Sequence, residues 1–212
     1  MPGVAFLIPV VVGLAVFLAA ERHRWPILAV IGKSLASLGF LVLGWSRLRA
    51  GSTVDAYLVL GLALCLAGDL VLLARRLFAA GLAAFLLGHL AYLAAFHALV
   101  PAREWRFALA APVVSASVLV TVWLWPHLGR MGPAVLAYVA VITAMVWGAL
   151  ATGVSGPLPA SAAGGAVLFY LSDLAVARQR FIRPSFSVRA VGLVAYYVGQ
   201  VLLAGAVGAT VQ

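Results

Sequence analysis

The sequence predicts an all-α membrane protein, a bundle of eight transmembrane helices that forms a single polytopic domain over residues 1–212. Hydrophobic residues make up 66% of the chain and charged residues 9%, whereas about a quarter of a soluble domain is charged. Charged residues, prolines and glycines recur between apolar runs, and each run is close to the roughly 20 residues that a helix needs to cross a bilayer. These two observations leave little chain for a soluble domain.

Eight apolar runs can be placed in order along the chain. The first run has no positive region before it and is followed by Arg22 and Arg24, the reverse of a secretory signal, so we expect it to remain as the first span. The predicted spans cover residues 4–20, 26–46, 54–74, 78–100, 106–125, 132–152, 158–177 and 187–210.

The positive charge of the chain points to membrane topology. The net charge is +9, and the basic residues lie in short gaps between apolar runs, which does not suggest nucleic-acid binding. The gaps after the odd-numbered spans hold most of the arginines, so the positive-inside rule places them in the cytoplasm and both termini outside. An Ala/Leu/Arg-rich chain with such short loops points to a bacterial inner membrane. The single cysteine, Cys65, excludes a disulfide framework.

Two aspartates lie inside apolar spans and are the main candidates for chemistry. An ionisable side chain inside a membrane helix costs about 2.5 to 3.5 kcal/mol, and a chain that keeps one usually uses it. Asp69 precedes Arg75 by six residues, and Asp173 precedes Arg178 by five. At the helical rise per residue, the carboxyls lie about 9 and 8 Å from those loop charges. We therefore expect both aspartates at one depth, near the cytoplasmic side.

The surroundings of these aspartates hint at an internal repeat. Gly68-Asp69 in span three and Ser172-Asp173 in span seven are four spans apart, which suits a four-plus-four duplication with parallel halves. Small residues in spans four and seven also allow helices to approach closely, and we favour this packing role for Gly81, Gly88 and Gly165.

Other polar residues occur at related depths. Lys33 and Tyr196 lie in the same layer as the aspartates, His89 lies deeper, and Tyr92 shares its helical face. Gln200 is one turn from Tyr196. We expect spans two, three, four, seven and eight to place these groups around one cavity.

Less specific interpretations stay open for several of these residues. Lys33 can form a buried ion pair with an aspartate that only fixes packing, and His89 can be a hydrogen-bonded core histidine. Two aspartates nevertheless exceed one lysine. A carboxyl beside Lys33 favours its charged form and an unpaired buried one its neutral form, which would provide a base and an acid. A metal held by Asp69, Asp173 and His89 has no diagnostic spacing to support it.

At these residues the chain resembles the YhhN family of integral membrane proteins, which includes lysoplasmalogenases. The resemblance covers nearly the whole chain and rests on Lys33, Gly68-Asp69, Gly81, Phe85, Gly88-His89, Tyr92, Gly165, Phe169, Ser172-Asp173, Tyr196-Tyr197 and Gln200. It implies a hydrolase that cleaves the vinyl ether bond of lysoplasmalogens to a fatty aldehyde and a glycerophospho-alcohol. It implies a lysophospholipid and water as substrates, with no cofactor and no metal.

The implied reaction suits a pair of carboxyls. A vinyl ether is hydrolysed by protonation of its β-carbon and attack of water on the resulting oxocarbenium ion, so one acid and one base are needed. Asp69 and Asp173 are the predicted catalytic residues. The predicted substrate-binding or site-tuning residues are Lys33, His89, Tyr92, Ser172, Tyr196, Tyr197 and Gln200. The basic cytoplasmic loops are candidates for holding the lipid phosphate.

Two other functional classes compete with the hydrolase. A small proton-coupled transporter would use the buried aspartates as a proton relay, and a lipid-binding or structural membrane protein would show no turnover. A transporter is expected to have a path to both faces and helices broken near the middle of the membrane. The aspartates lie toward one side, which favours the enzyme.

Overall fold

The computed structural model describes residues 5–209, and this part of the chain is helical with no strand. It contains α1 (Leu7–His23), α2 (Pro26–Trp45), α3 (Thr53–Val71), α4 (Phe78–Leu99), α5 (Phe107–Leu128), α6 (Gly132–Ser155), α7 (Ala160–Ala177) and α8 (Phe186–Ala206). A π-helical segment, Arg178–Ile182, continues α7. The prediction of an all-α membrane protein is confirmed. The outermost positions of the first and last predicted spans, residues 4 and 210, lie outside the described residues.

In the described chain, helix length and composition identify fewer membrane spans than the sequence pattern predicts. Six helical segments of the described chain are long and apolar enough to cross a bilayer, judged by length and composition. One of them comprises both α5 and α6, because the 3₁₀ turn Gly129–Met131 joins these helices into a run of 49 residues. The shortest helix, α1, has 17 residues and is not among the six. The eight-span count and the four-plus-four repeat stay predictions.

Local sequence signals explain where several helices begin and end. Pro26 occupies the first turn of α2, where its missing N–H has no helical partner to lose. The Ser52 side chain accepts a hydrogen bond from the Asp55 backbone N–H and so caps α3. Gly156 ends α6 in the left-handed conformation, with φ of 89°. The predicted boundaries of spans two and four, 26–46 and 78–100, agree closely with α2 and α4.

Glycines let neighbouring helices of the bundle touch. A Cβ atom on Gly13 of α1 would lie 2.5 Å from the Ala36 backbone nitrogen of α2. A Cβ atom on Gly165 of α7 would lie 2.8 Å from the Gly199 carbonyl oxygen of α8. Larger residues do not fit at these points, so the packing role expected for small residues holds here.

The interior of the bundle is aromatic around the polar site, and the outer surface is apolar. Phe169 of α7 makes edge-on contacts with Phe85 of α4 and Tyr196 of α8, at ring-centroid distances of 6.1 and 5.4 Å. Ile27 and Leu119 are among many large aliphatic side chains that remain exposed on the outside. Such a surface suits contact with lipid chains, while the core holds α3, α4, α7 and α8 in register around the aspartates.

Candidate active site

Asp69 accepts hydrogen bonds or charge contacts from three side chains. Its Oδ1 lies 3.1 Å from Lys33 Nζ, and its Oδ2 accepts 2.7 Å hydrogen bonds from Ser37 Oγ and from the Tyr196 hydroxyl. The carboxyl itself is 2% exposed. Three donors, one of them a cation, match the needs of a carboxylate, which can only accept. All three partners of Asp69 are donors, so its carboxyl oxygens act as acceptors in this arrangement.

Helical spacing explains why α2 supplies two of these donors. Lys33 and Ser37 are one turn apart and so share the face of α2 that meets α3. Ser37 Oγ also lies 3.1 Å from the Tyr197 hydroxyl, so Ser37 links Tyr197 to Asp69. Lys33 has a second neighbour, the Phe17 ring, at 5.4 Å. The expected buried ion pair is thus present, and it belongs to Asp69.

Asp173 has a different set of partners. Its Oδ2 accepts a 2.7 Å hydrogen bond from the Tyr138 hydroxyl of α6 and lies 3.3 Å from His89 Nε2 of α4. The His89 contact is close, but its direction is not that of a hydrogen bond, and Nε2 has no hydrogen-bond partner among the described residues. The Asp173 side chain is 18% exposed, against 3% for Asp69. Asp173 is thus the more accessible carboxyl.

The hydrogen bond of the other ring nitrogen, Nδ1, fixes the tautomer of His89. His89 Nδ1 lies 2.6 Å from the Phe85 carbonyl oxygen, and because a carbonyl only accepts, Nδ1 must carry the proton of that hydrogen bond. In the neutral ring, Nε2 is then a bare acceptor that faces a carboxyl oxygen. Two acceptors at this distance are compatible when one of them carries a proton. His89 Nε2 and Asp173 Oδ2 are therefore close enough to exchange a proton, although their orientation here is not that of a hydrogen bond.

Both aspartates line one cavity of about 420 Å³. Lys33, Tyr138, Ser172 and Tyr196 also line it. The Ser172 hydroxyl donates to the Phe169 carbonyl within its own helix, so its proton is already used. Exposed residues at the outer edge of the cavity come from the connection between α7 and α8 and the start of α8: Arg180, Pro184 and Arg189.

The expectation that the polar residues of these spans line one cavity is wrong for three of them. His89, Tyr92 and Gln200 are fully buried and do not line it, and Tyr197, predicted as a binding or tuning residue, does not line it either. The Tyr92 hydroxyl donates to Gln200 Oε1 at 2.7 Å. Gln200 is one helical turn from Tyr196, and the Tyr92 ring packs edge-on against Phe169 at 6.4 Å. Tyr92 and Gln200 thus belong to the buried core beside the site, whereas His89 contacts Asp173 directly.

Two partners of the aspartates were missed in the sequence. Ser37 had a detectable signal, because it is four residues after Lys33 and shares its helical face. Tyr138 had none, because it is a lone tyrosine in the apolar sequence of α6, a span that was not expected to contribute. Among residues 5–209, no group of three His, Cys, Asp or Glu side chains is arranged to share a metal ion.

Comparisons with known proteins show the family of the chain. The model of the YhhN family matches residues 28–207. The chain is 35% identical over 144 residues to lysoplasmalogenase TMEM86B of Sus scrofa, covering 68% of this chain and 60% of that protein. It is 32% identical over 190 residues to lysoplasmalogenase TMEM86B of Mus musculus, covering 88% and 77%.

A bacterial relative and the solved structures complete the comparison. A lysoplasmalogenase of Mycobacterium bovis is 38% identical over 112 residues, which is 50% of this chain and 41% of that protein. The chain thus spans less than two thirds of the pig and mycobacterial relatives and about three quarters of the mouse one. No solved structure matches. Because the family model covers most of the chain, the protein belongs to the YhhN family.

Proposed function

We propose that this protein is a membrane hydrolase that cleaves the vinyl ether bond of lysoplasmalogens, releasing a fatty aldehyde and a glycerophospho-alcohol. The observation that carries the proposal is the presence of two differently partnered carboxyls, Asp69 and Asp173, in one cavity. The lysoplasmalogenase names of the relatives from pig, mouse and mycobacteria support the choice of substrate.

The different partners of the two carboxyls support different roles for them. Asp173, with His89 Nε2 at 3.3 Å, is the general acid that protonates the β-carbon of the vinyl ether. Asp69, held by Lys33, Ser37 and Tyr196, is the general base that takes a proton from the attacking water. Its negative charge also stabilises the oxocarbenium ion, as a carboxylate does in glycoside hydrolysis.

The second half of the reaction returns both groups to their starting forms. The first half leaves a hemiacetal, an ionised Asp173 and a protonated Asp69. Asp173 then takes the proton of the hemiacetal hydroxyl, while Asp69 gives its proton to the departing glycerol oxygen. The carbon–oxygen bond breaks, the aldehyde carries the oxygen of water, and one water has been consumed. No redox partner is needed.

The mouth of the cavity suits the phosphate of a lysophospholipid. Arg180 is exposed at the mouth, and its guanidinium lies over the Phe78 ring at 4.6 Å, which limits the directions in which it can point. Arg189 lies nearby, with Nε 2.5 Å from Glu21 Oε2. An arginine pair at this position binds a phosphate well, because guanidinium groups match its oxygens.

The same proposal includes a membrane arrangement. All eight helices cross the bilayer, in two parallel halves of four, and the basic loops after the odd-numbered helices face the cytoplasm of a bacterial inner membrane. The six long apolar segments, the exposed aliphatic surface and the basic connection at residues 178–189 support this arrangement.

Purified protein in detergent or vesicles provides the test of the function. We expect fatty aldehyde release from a lysoplasmalogen and none from an ester lysolipid with the same headgroup and chain length. Fatty acid release from the ester lysolipid, without aldehyde from the lysoplasmalogen, would place the protein in another reaction class. Uptake of a solute driven by a proton gradient, without hydrolysis of either lipid, would favour the transporter.

A further inference from the structure

Tyr138 contacts Asp173, yet the proposed reaction does not use its hydroxyl. It lies on the inner face of α6, in line with Ile142 and Met145 one and two turns later, and all three side chains are buried. A buried phenol hydroxyl on an apolar helix face needs a hydrogen-bond partner, because burial removes its contact with water. The partner here is the Asp173 carboxyl.

The two oxygens of Asp173 have different surroundings. Oδ2 accepts the 2.7 Å hydrogen bond from Tyr138 and faces His89 Nε2 at 3.3 Å. Oδ1 has no hydrogen-bond or ion-pair partner among residues 5–209. Since the Asp173 side chain is part of the cavity lining, Oδ1 is the oxygen that remains for a ligand in the cavity.

We propose that Tyr138 is a positioning residue of the reaction, which holds Oδ2 of Asp173 so that Oδ1 carries the proton to the β-carbon of the vinyl ether. The inference rests on the proposed function. A neutral carboxyl has one O–H donor and one carbonyl oxygen, and the carbonyl oxygen is the better acceptor for a protein hydroxyl. A hydrogen bond donated to Oδ2 therefore leaves the proton on Oδ1.

The same hydrogen bond becomes stronger during proton transfer. The vinyl ether supplies the electron pair of the new C–H bond, while the electron pair of the broken O–H bond stays on Asp173, which becomes an anion. Hydrogen bonds to an ionised acceptor are roughly twice as strong as those to a neutral one. Tyr138 thus stabilises the transition state more than the bound substrate, and its loss should lower kcat and leave KM unchanged.

The ring of Tyr138 has a separate packing contact. It lies edge-on to the His89 ring at a centroid distance of 5.2 Å, and His89 in turn packs against Phe169 at 4.3 Å. Removal of the hydroxyl alone leaves these ring contacts in place. Phenylalanine at position 138 therefore tests the hydrogen bond and keeps the packing around Asp173.

Two tyrosine-to-phenylalanine changes provide a matched test. Tyr138→Phe removes the donor to Asp173, whereas Tyr170→Phe removes a hydroxyl that lies 3.0 Å from Ser117 Oγ of α5. For aldehyde release from a lysoplasmalogen, normalised to the folded fraction, we expect Tyr138→Phe to lower kcat about tenfold and to keep KM within about twofold. Tyr170→Phe is expected to stay within about twofold in both constants. Equal kcat for the two variants, or a change in KM alone, would overturn the proposal.

A double-mutant cycle shows whether Tyr138 acts through Asp173. In an Asp173→Asn background, Tyr138→Phe should change the residual kcat by no more than about twofold, because the acid that it positions is already gone. A role in packing alone would lower kcat by the same factor in both backgrounds, and this result would overturn the proposal.

A conservative replacement provides the rescue. Substitution of Tyr138 by 4-aminophenylalanine keeps the ring and an N–H donor at the place of the hydroxyl, so we expect it to recover most of the wild-type kcat. A kcat as low as that of Tyr138→Phe would contradict the positioning role.

An infrared readout separates this inference from the proposed function. The carbonyl stretch of Asp173 is identified by its loss in Asp173→Asn, at a pH where the carboxyl is protonated. We expect this band to move to higher wavenumber in Tyr138→Phe and to stay in place in Tyr170→Phe, because a hydrogen bond weakens the C=O bond that accepts it. The shift supports Tyr138 as the group that holds Oδ2, even if no lipid releases aldehyde. An unmoved band overturns the inference and leaves the hydrolase intact where the wild type releases aldehyde.

Discussion

Asp55 and Asp69 lie at opposite ends of α3, about 21 Å apart along the helix, and both are almost completely buried. Asp55 accepts hydrogen bonds from Arg49 Nε at 2.7 Å and Nη2 at 3.1 Å, and from the backbone N–H groups of Arg49 and Gly208. These contacts tie the connection between α2 and α3 to the end of α8. Asp55 does not line the cavity that Asp69 and Asp173 share.

The difference between the two ends shows that burial alone does not identify a functional carboxyl. Both aspartates have several donors, and both have a cationic partner. Asp69 also borders a cavity, which it shares with a second carboxyl, and Asp55 does not line that cavity. The donors of Asp55 fasten segments of the chain, as a bidentate arginine pair often does.

The largest expected effect separates chemistry from packing. Asp69→Asn and Asp173→Asn each remove a carboxyl that can take up or give a proton, while keeping the shape of the side chain. We expect either to lower kcat by at least about 10²-fold, the range for general acid–base groups. Aldehyde release at saturating lysoplasmalogen measures this, normalised to the folded fraction. Asp55→Asn is the control and is expected to keep wild-type kcat. Comparable activity in all three variants would remove the two carboxyls from the mechanism.

The pH dependence of the same variants sharpens the role assignment. Wild-type kcat should follow a bell, because the proposed mechanism needs one general base and one general acid. The base accounts for the rising limb of such a profile and the acid for the falling limb. Residual activity of Asp69→Asn is expected to lack the rising limb, and that of Asp173→Asn the falling limb. The opposite assignment of limbs would exchange acid and base.

Asp55→Asn should instead reveal a structural role. The amide cannot accept both Arg49 bonds and the Gly208 N–H as a carboxylate does, and it loses the favourable charge in the first turn of α3. Because the Arg49 side chain is 39% exposed, water compensates part of the loss, and we expect the Tm to fall by about 5 °C. Thermal unfolding in one detergent checks this, with Asp69→Asn alongside. An unchanged Tm for Asp55→Asn would contradict the fastening role.

The sequence predicts the depth of a polar residue in the membrane better than the direction in which its side chain points. The rise per residue is constant along a helix, so counting from loop charges put Lys33, Asp69, Asp173 and Tyr196 in one layer, and the structure has all four around one cavity. The helix ends could also be predicted, because prolines, glycines and charges mark where the chain leaves the apolar region.

The direction in which each side chain points could not be read in the same way. A helix that is apolar on every side gives no periodic signal for its inner face. Tyr92 and Gln200 were therefore expected in the cavity, although they bond each other behind it, and Tyr138 went unnoticed on α6. Asp55 was not predicted to have a role, because charged residues are common near the ends of membrane spans.

Lys33 is expected to matter less than either catalytic aspartate. Lys33→Met keeps most of the side-chain volume and removes the charge beside Asp69, while Ser37 and Tyr196 still donate to the carboxyl. We expect kcat to fall by about tenfold, because the Asp69 carboxyl loses the positive charge beside it. Lys33→Arg should recover part of the activity. A loss as large as that of Asp69→Asn would make Lys33 a direct participant.

The smallest effect is expected at the mouth of the cavity. Arg180→Gln removes a charge that meets the lipid phosphate before any bond changes, so we expect KM to rise about fivefold with kcat unchanged. Arg103→Gln is the matched control, because that side chain is 82% exposed in the connection between α4 and α5 and lies away from the cavity. The difference between the two variants should shrink as salt rises, since ions screen an exposed charge pair. Equal KM values for both at low salt would mean that the arginines of the α7–α8 connection serve topology alone.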